Sequence, residues 1–240
     1  MMSNEKFYYI HNNSTPEGYY KQTNNERYPF VSCFNTSMIN VGIGIMKYDL
    51  PIGEAKTGGY SQPEDQFDWY MHESPDVESW VKDFSSTGWV SEYLNSGGDI
   101  RELWEVEAHC FNKWIGKDVC KINYNLKEID FINQIRQGKG VVTTGKFCGF
   151  SHAVSVVGFK SELNDTDKSV TLSGKDESIS TDIEKIESII INDSYGNPLN
   201  SYKPVGEGGY NVIMKKSDFF TKIFKSGDVN TSIYYGILFN

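Results

Sequence analysis

A cysteine, a histidine and an aspartate stand in this chain at positions where their side chains could perform nucleophilic chemistry. Cys33 follows a polar, turn-prone stretch and directly precedes an apolar periodic segment, so the pattern predicts it at the start of a helix. Helix N-termini carry unpaired N–H groups and partial positive charge, which favour a thiolate. His152 enters one predicted strand and Asp193 follows the next. These residue types predict a thiol nucleophile, a base and an acid that orients the base.

Gln22 is a fourth candidate, eleven residues before Cys33. Its side-chain amide and the backbone N–H of Cys33 are predicted to form an oxyanion hole. Each residue taken singly also has a structural interpretation: a buried cysteine, a satisfied histidine, a turn-forming aspartate. Their order along the chain, however, is that of papain-like hydrolases.

Several longer stretches resemble one family of such enzymes. It is the family of bacteriocin-processing, double-glycine-peptidase-like cysteine peptidases, family thirty-nine, in the stand-alone branch found in phages and bacteria. The family's stretch from its glutamine to its nucleophile is similar to YYKQTNN and SCFNTSM. The second helix of the family is similar to QPEDQFDWYM in this chain. The helix, turn and strand that precede the family's catalytic histidine are similar to FINQIRQGKGVVTTGKF. Its later strands and acid loop are similar to SHAVSVVGFK, IINDSYGNPLNSY and GGYNVIMKKSDFF.

The resemblance implies a cysteine peptidase that hydrolyses amide bonds through a thioester intermediate and needs no cofactor or metal. It makes Cys33 the nucleophile, His152 the general base, Asp193 the orienting acid and Gln22 the oxyanion donor. The implied substrate is a peptide, and the phage-type members point to bacterial cell-wall peptides, which would make the protein an endolysin-like peptidoglycan hydrolase.

Two positions depart from the family pattern. Phe34 stands where many relatives have a small or polar residue, and we expect it to narrow the mouth of the cleft. Ser194 stands in place of the usual proline, and we expect it to loosen the loop that carries Asp193. Neither departure removes a catalytic group.

Two other classes of function remain open from the sequence. A papain-like domain with a disabled site would be a binding or structural protein, such as a phage virion component or an effector. A transferase would use the same thiol but resolve the acyl-enzyme with an amine. Reactivity of Cys33 separates the first class from an enzyme, and amine-dependent product formation separates the second from a hydrolase.

The candidate residues lie on predicted helices that come first in the chain and on predicted strands that come later. This order indicates a papain-like α+β fold in which N-terminal helices pack on a mostly antiparallel sheet. Helices are predicted from Cys33, from Pro63 with Ser61 as cap, at Trp104–Ile115, and from Asn125 as cap. Strands are predicted at 6–10, 140–147, 152–160, 188–196, 208–215 and 231–239.

Length and charge limit the class of protein further. The 240 residues predict one domain (1–240) with a polar hairpin or loop extension at about 161–187. The chain carries 23 Lys and Arg against 32 Asp and Glu, which argues against a nucleic-acid partner. No segment is long and apolar enough to predict a membrane span, and none has the pattern of a signal peptide. We therefore expect cytoplasmic synthesis with reduced cysteines, followed by release on lysis or association with a virion.

Other residue groups give weaker signals. His109 and Cys110 are neighbours on a predicted helix and cannot face one another. Cys148 precedes His152 by four residues, which allows either simple packing or a redox lock on the site. The acidic segment 162–167 lacks the glycine and terminal glutamate of a calcium-binding EF-hand loop. The aromatic residues considered for a binding cleft are Trp69, Tyr70, Trp80, Trp89 and Trp104.

Overall fold

Helices precede most of the strands in a computed structural model that describes residues 7–11, 14–77, 95–97, 104–147, 149–162, 185–225 and 232–240. The α-helices are α1 (Cys33–Ile39), α2 (Glu54–Thr57), α3 (Pro63–Glu73), α4 (Trp104–Ile115), α5 (Glu128–Arg136) and α6 (Lys216–Lys222). A π-helical segment, Asn40–Ile45, continues α1. The strands are β1 (Phe7–His11), β2 (Cys120–Leu126), β3 (Val141–Phe147), β4 (Phe150–Glu162), β5 (Ile186–Asn192), β6 (Val212–Lys215) and β7 (Tyr234–Phe239).

The seven described strands form one antiparallel sheet. Six of them follow one another in the order β2-β7-β3-β4-β5-β6, and β1 pairs with β4 outside this sequence. The long strand β4 lies at its centre. Its first half pairs with β3 on one side, and its second half pairs with β1 on that side, while β5 lies on the other. The predicted α+β class with a mostly antiparallel sheet is therefore confirmed.

The sheet is buried on both faces, and alternate residues of one strand enter two different cores. Val157 packs with α1, α3 and α4 on one face, whereas Val156 packs with α5 and α6 on the other. Ile190 and Ile189 divide in the same way on β5. The near-continuous apolar runs of these strands follow from this double burial. The helices thus hold the centre of the sheet rigidly from both sides.

Two predicted helix starts were misplaced. Helix α5 has Lys127 as its cap and not Asn125, because Asp130 accepts the Lys127 N–H at 2.8 Å and closes the first turn. Asn125 belongs instead to strand β2, which was not predicted because its residues alternate too weakly between apolar and polar. At α3 the cap is Gln62 rather than Ser61.

The predicted extension at 161–187 falls largely outside the described residues. Its described ends are antiparallel neighbours, since Ser161 pairs with Ile186 at the far ends of β4 and β5. Of the acidic segment 162–167, only Glu162 belongs to a described element, as the last residue of β4.

Candidate active site

Cys33 is the first residue of α1, as predicted, and its side chain is partly exposed. The first hydrogen bond of the helix runs from the Thr36 N–H to the Ser32 carbonyl at 2.9 Å. The N–H groups of the first turn therefore surround the thiol with partial positive charge. The pattern of apolar residues places the thiol at this point, because Met38, Val41 and Ile45 must face the core behind it.

Two serines dock α1 on the histidine strand. The Ser37 hydroxyl donates to the Ala153 carbonyl at 3.1 Å, and the Ser155 hydroxyl donates to the Ser37 carbonyl at 3.1 Å. All three residues are buried. These two reciprocal hydrogen bonds fix the position of helix α1 along strand β4. As a consequence, Cys33 lies beside His152.

His152 lies between its two predicted partners. Its Nε2 lies 2.6 Å from Asp193 Oδ1, and the imidazole interacts with the Cys33 thiol so that each group shifts the pKa of the other. Because Nε2 is engaged by the carboxylate, Nδ1 is the ring nitrogen available to the sulfur. Thiol, imidazole and carboxylate are thus arranged in series.

The Asp193 carboxylate is held from several directions. Besides His152, its Oδ1 accepts the Tyr195 N–H at 3.0 Å, and its Oδ2 accepts the Tyr202 hydroxyl at 3.0 Å. The Tyr19 hydroxyl donates to the Asp193 carbonyl at 2.6 Å. The side chain is completely buried. Its orientation toward the imidazole is therefore determined by the protein and not by solvent.

These contacts shift the pKa values of the thiol and the imidazole in opposite directions. Burial alone would raise the pKa of Cys33, but the hydrogen bond and charge of His152, with a backbone hydrogen bond at Ala153, outweigh it and lower that pKa. Burial alone would lower the pKa of His152, but the charge and hydrogen bond of Asp193, with Cys33, raise it to about 10. Both shifts favour transfer of the thiol proton to the imidazole, relative to the two groups in isolation.

Four aromatic rings surround His152, a role that was not predicted for them. Their centroids lie 5.9 to 6.3 Å from that of the imidazole. The phenol of one of them also holds Asp193, as described above. An apolar surround strengthens the charge interactions within the site. The only sequence signal is proximity to His152 and Asp193; the rings belong to Phe147, Phe150, Tyr195 and Tyr202.

Gln22 is buried, with 1% of its surface exposed, and it is tied to the Asp193 loop and to the segment that leads into Cys33. Its Nε2 donates to the Pro29 carbonyl at 3.2 Å, and its Oε1 accepts the Ser194 hydroxyl at 2.8 Å. An amide nitrogen carries two hydrogens, so the bond to Pro29 leaves one hydrogen that a substrate oxygen can accept.

Ser194 corrects an expectation. Serine in place of proline was expected to loosen the acid loop, but Ser194 is fully buried, its hydroxyl binds Gln22, and its carbonyl accepts the Gln22 N–H at 3.1 Å. The serine therefore fastens the loop to the segment around Gln22.

A polar network fixes the segment between Gln22 and Cys33, and no part of it was foreseen. The Asp65 carboxylate accepts the backbone N–H groups of Glu26 and Arg27 at 3.1 and 2.8 Å. The Arg27 guanidinium binds Asp68 at 2.9 Å, and Asp68 in turn accepts the Asn35 amide at 2.7 Å. Helix α3 thereby positions the residues on both sides of the nucleophile. The sequence signal that could have predicted this network is the pair Asp65 and Asp68, which lie three residues apart on α3.

Glu64, next to Asp65, is buried and its Oε2 has no hydrogen-bond partner in the described part of the chain. Burial raises the pKa of its carboxyl to about 7, from 4.5. The folded state therefore binds a proton that the unfolded state has lost between about pH 4.5 and 7, and stability decreases as pH rises through that window.

Glu64→Gln is accordingly expected to stabilise the fold at pH 8 by on the order of 2 kcal/mol and to change little at pH 4.5. Urea unfolding at both pH values measures the effect, with the exposed Glu54→Gln as control. A Glu64→Gln variant less stable than the parent at pH 8 would contradict the argument.

The weaker candidates that the structure describes belong to helix α4 and strand β2. Cys110 is fully buried among core residues of α4, and Cys120 is also buried, which raises the pKa of its thiol. His109 lies beside Cys110 on the same helix. Within the described residues no group of His, Cys, Asp or Glu is arranged to hold a metal ion. Cys148 lies outside the described residues, so neither its packing nor its redox role is tested.

Two of the aromatic residues proposed for a binding cleft pack on the core of the sheet. Tyr70 is buried in it, and Trp69 is partly buried against it. Trp104 packs edge-on against Phe34, with ring centroids 4.6 Å apart, so the Phe34 ring is held against α4. Trp80 and Trp89 lie outside the described residues. The exposed apolar side chains nearest the nucleophile in the chain are instead Phe30 and Val31, which line a groove of about 630 Å³.

Comparison with protein-family models, with curated proteins and with solved structures gives no match to this chain. In the described part of the chain, no helix is long and apolar enough to cross a membrane.

Proposed function

We propose that this protein is a papain-like cysteine peptidase that cleaves amide bonds through a thioester. One observation carries the proposal: Cys33 lies at a helix N-terminus and interacts with His152, whose Nε2 lies 2.6 Å from Asp193 Oδ1. The chain order of the residues and the likeness to double-glycine-type peptidases support it. No cofactor is needed for this chemistry.

In the proposed mechanism the Cys33 thiolate attacks a substrate carbonyl carbon, and the electron pair of the C=O bond moves to the oxygen. The Gln22 amide and the Cys33 backbone N–H donate to that oxyanion. His152 transfers its proton to the departing amine as the C–N bond breaks, which leaves a thioester on Cys33. Water, deprotonated by His152, then attacks the thioester and releases the acid and the thiol. Asp193 keeps the imidazole oriented throughout.

For the substrate class, we propose peptides of the bacterial cell wall. This part of the proposal rests on the sequence likeness to stand-alone phage and bacterial members, which is an analogy of family and not of chemistry. A released or virion-associated peptidoglycan hydrolase is the corresponding biological setting. Zymography of the purified protein on bacterial cell walls, with Cys33→Ala as control, tests the substrate class.

The thiolate itself is tested without a substrate. Iodoacetamide is expected to alkylate Cys33 rapidly at pH 6, with little gain in rate up to pH 8, because the thiol is already ionised. An ordinary thiol gains about 100-fold in rate over the same two pH units, since the thiolate is the nucleophile. Peptide mass spectrometry locates the label, and the buried Cys110 and Cys120 are internal controls. If the alkylation of Cys33 follows the pH profile of an ordinary thiol, the scaffold serves as a binding protein and the proposal fails.

A further inference from the structure

Residue 194 connects the two halves of the proposed site. The Ser194 hydroxyl donates to Gln22 Oε1 at 2.8 Å, and the Gln22 N–H donates to the Ser194 carbonyl at 3.1 Å. Both side chains are almost completely buried. The residue after the orienting acid thus binds the backbone and the side chain of the oxyanion donor together.

These contacts favour one orientation of the Gln22 amide. With Oε1 on the Ser194 hydroxyl, Nε2 donates to the Pro29 carbonyl at 3.2 Å. A flipped amide would place Oε1 against the Pro29 carbonyl, and two acceptors would then face each other without a proton. The Pro29 carbonyl, which can only accept, selects the orientation in which the NH₂ group faces the segment leading into Cys33. The Ser194 hydroxyl then satisfies the amide oxygen that this orientation buries, and it holds the amide in place.

The backbone around Gln22 is fixed by contacts other than those of the Ser194 hydroxyl. The Asn40 side chain binds both the N–H and the carbonyl of Tyr20, at 2.7 and 3.0 Å. Gly18 and Gly44 meet so closely that a Cβ on Gly44 would lie 2.0 Å from the Gly18 carbonyl oxygen. Loss of the Ser194 hydroxyl therefore frees the amide of Gln22 while its backbone stays in place.

We propose that Ser194 is a positioning residue that holds the Gln22 amide in its oxyanion-donating orientation. This inference rests on the proposed function. It differs from a role in the thiolate pair, because the serine hydroxyl contacts Gln22 and not Cys33 or His152. Substitution of Ser194 should therefore slow reactions of Cys33 that form an oxyanion. It should leave the rates of reactions that form none unchanged.

Two small reagents separate these cases. With p-nitrophenyl acetate, the Cys33 thiolate forms an S–C bond at the ester carbonyl through an oxyanion, and the C–O bond breaks to release p-nitrophenolate. With iodoacetamide, the same thiolate forms an S–C bond by displacing iodide, and no oxyanion arises. The ratio of the two rate constants reports the oxyanion hole independently of the thiolate.

Ser194→Ala is expected to slow acylation by p-nitrophenyl acetate roughly tenfold, while the rate and pH profile of iodoacetamide alkylation stay unchanged. In the Gln22→Ala background the same substitution should cost nothing further, because the hydroxyl acts only through that amide. Ser217→Ala, at an exposed serine of α6, is the matched control.

Three results would overturn the inference, and they are distinguishable. Wild-type acylation in Ser194→Ala, with alkylation normal, removes the role of Ser194 and leaves the peptidase proposal standing. An equal loss in both reactions places the effect on the thiolate pair or on the fold. Slow alkylation of the unmutated protein at pH 6 removes the proposed function itself.

Discussion

His152→Ala is expected to slow alkylation of Cys33 at pH 6 by about 100-fold or more. The imidazolium is the main influence that lowers the pKa of the thiol. Without it, burial and the Asp193 charge raise that pKa, and only the backbone hydrogen bond at Ala153 opposes them. At pH 6 a thiol of ordinary pKa is ionised only to about one part in 300. Iodoacetamide labelling followed by peptide mass spectrometry measures the loss.

His109→Ala is the matched control for this substitution. It removes a partly buried histidine from helix α4, which carries none of the proposed catalytic residues. Its alkylation rate at Cys33 should equal that of the parent, and circular dichroism of both variants should match. If His152→Ala folds and Cys33 still reacts at the parental rate at pH 6, no thiolate–imidazolium pair exists.

Gln22→Ala is expected to lower the rate of acylation by p-nitrophenyl acetate by about 10²–10³, the usual cost of one oxyanion donor. Alkylation by iodoacetamide should change little, since that displacement develops no oxyanion. Cys33→Ala should abolish the acylation altogether. The exposed Gln137→Ala serves as control, because it removes a glutamine without touching the site.

The two reactions of Gln22→Ala also distinguish the chemical role of the glutamine from a structural one. Loss of both acylation and alkylation would mean that Gln22 supports the segment leading into Cys33 through its bond to the Pro29 carbonyl. Retention of full acylation would mean that the oxyanion is stabilised elsewhere. Full acylation in Cys33→Ala would contradict the assignment of the nucleophile.

These results bear directly on the choice between an enzyme and a binding protein. The Asp193 carboxylate accepts three hydrogen bonds, from His152, Tyr195 and Tyr202, and Gln22 is buried between two loops. An inactive scaffold would also satisfy its buried polar groups in this way. The reactivity of Cys33 therefore decides between the two classes.

The local sequence determined many of the helices and strands that carry the proposed site. The spacing of Met38, Val41 and Ile45 requires a helix that begins near Cys33, because only a helix puts these three side chains on one buried face. The apolar runs around His152 and Asp193 require buried strands for a similar reason. Helix α5 was recognised but misplaced at its start, since its cap depends on a hydrogen bond from Lys127 to Asp130 that composition does not reveal.

Tertiary structure alone decided how the site is held. Asp193 meets His152, across a sequence separation of 41, because β4 and β5 are antiparallel neighbours. Ser194 meets Gln22 across a separation of 172, and no local pattern encodes that contact. Serine at position 194 was expected to weaken the loop because its backbone is freer than that of proline. Its hydroxyl has an acceptor, Gln22 Oε1, only because the segments that carry the two residues pack together in the fold. The residue types in the sequence predicted the class of reaction. Long-range packing decided which hydrogen bonds orient the side chains of the proposed site.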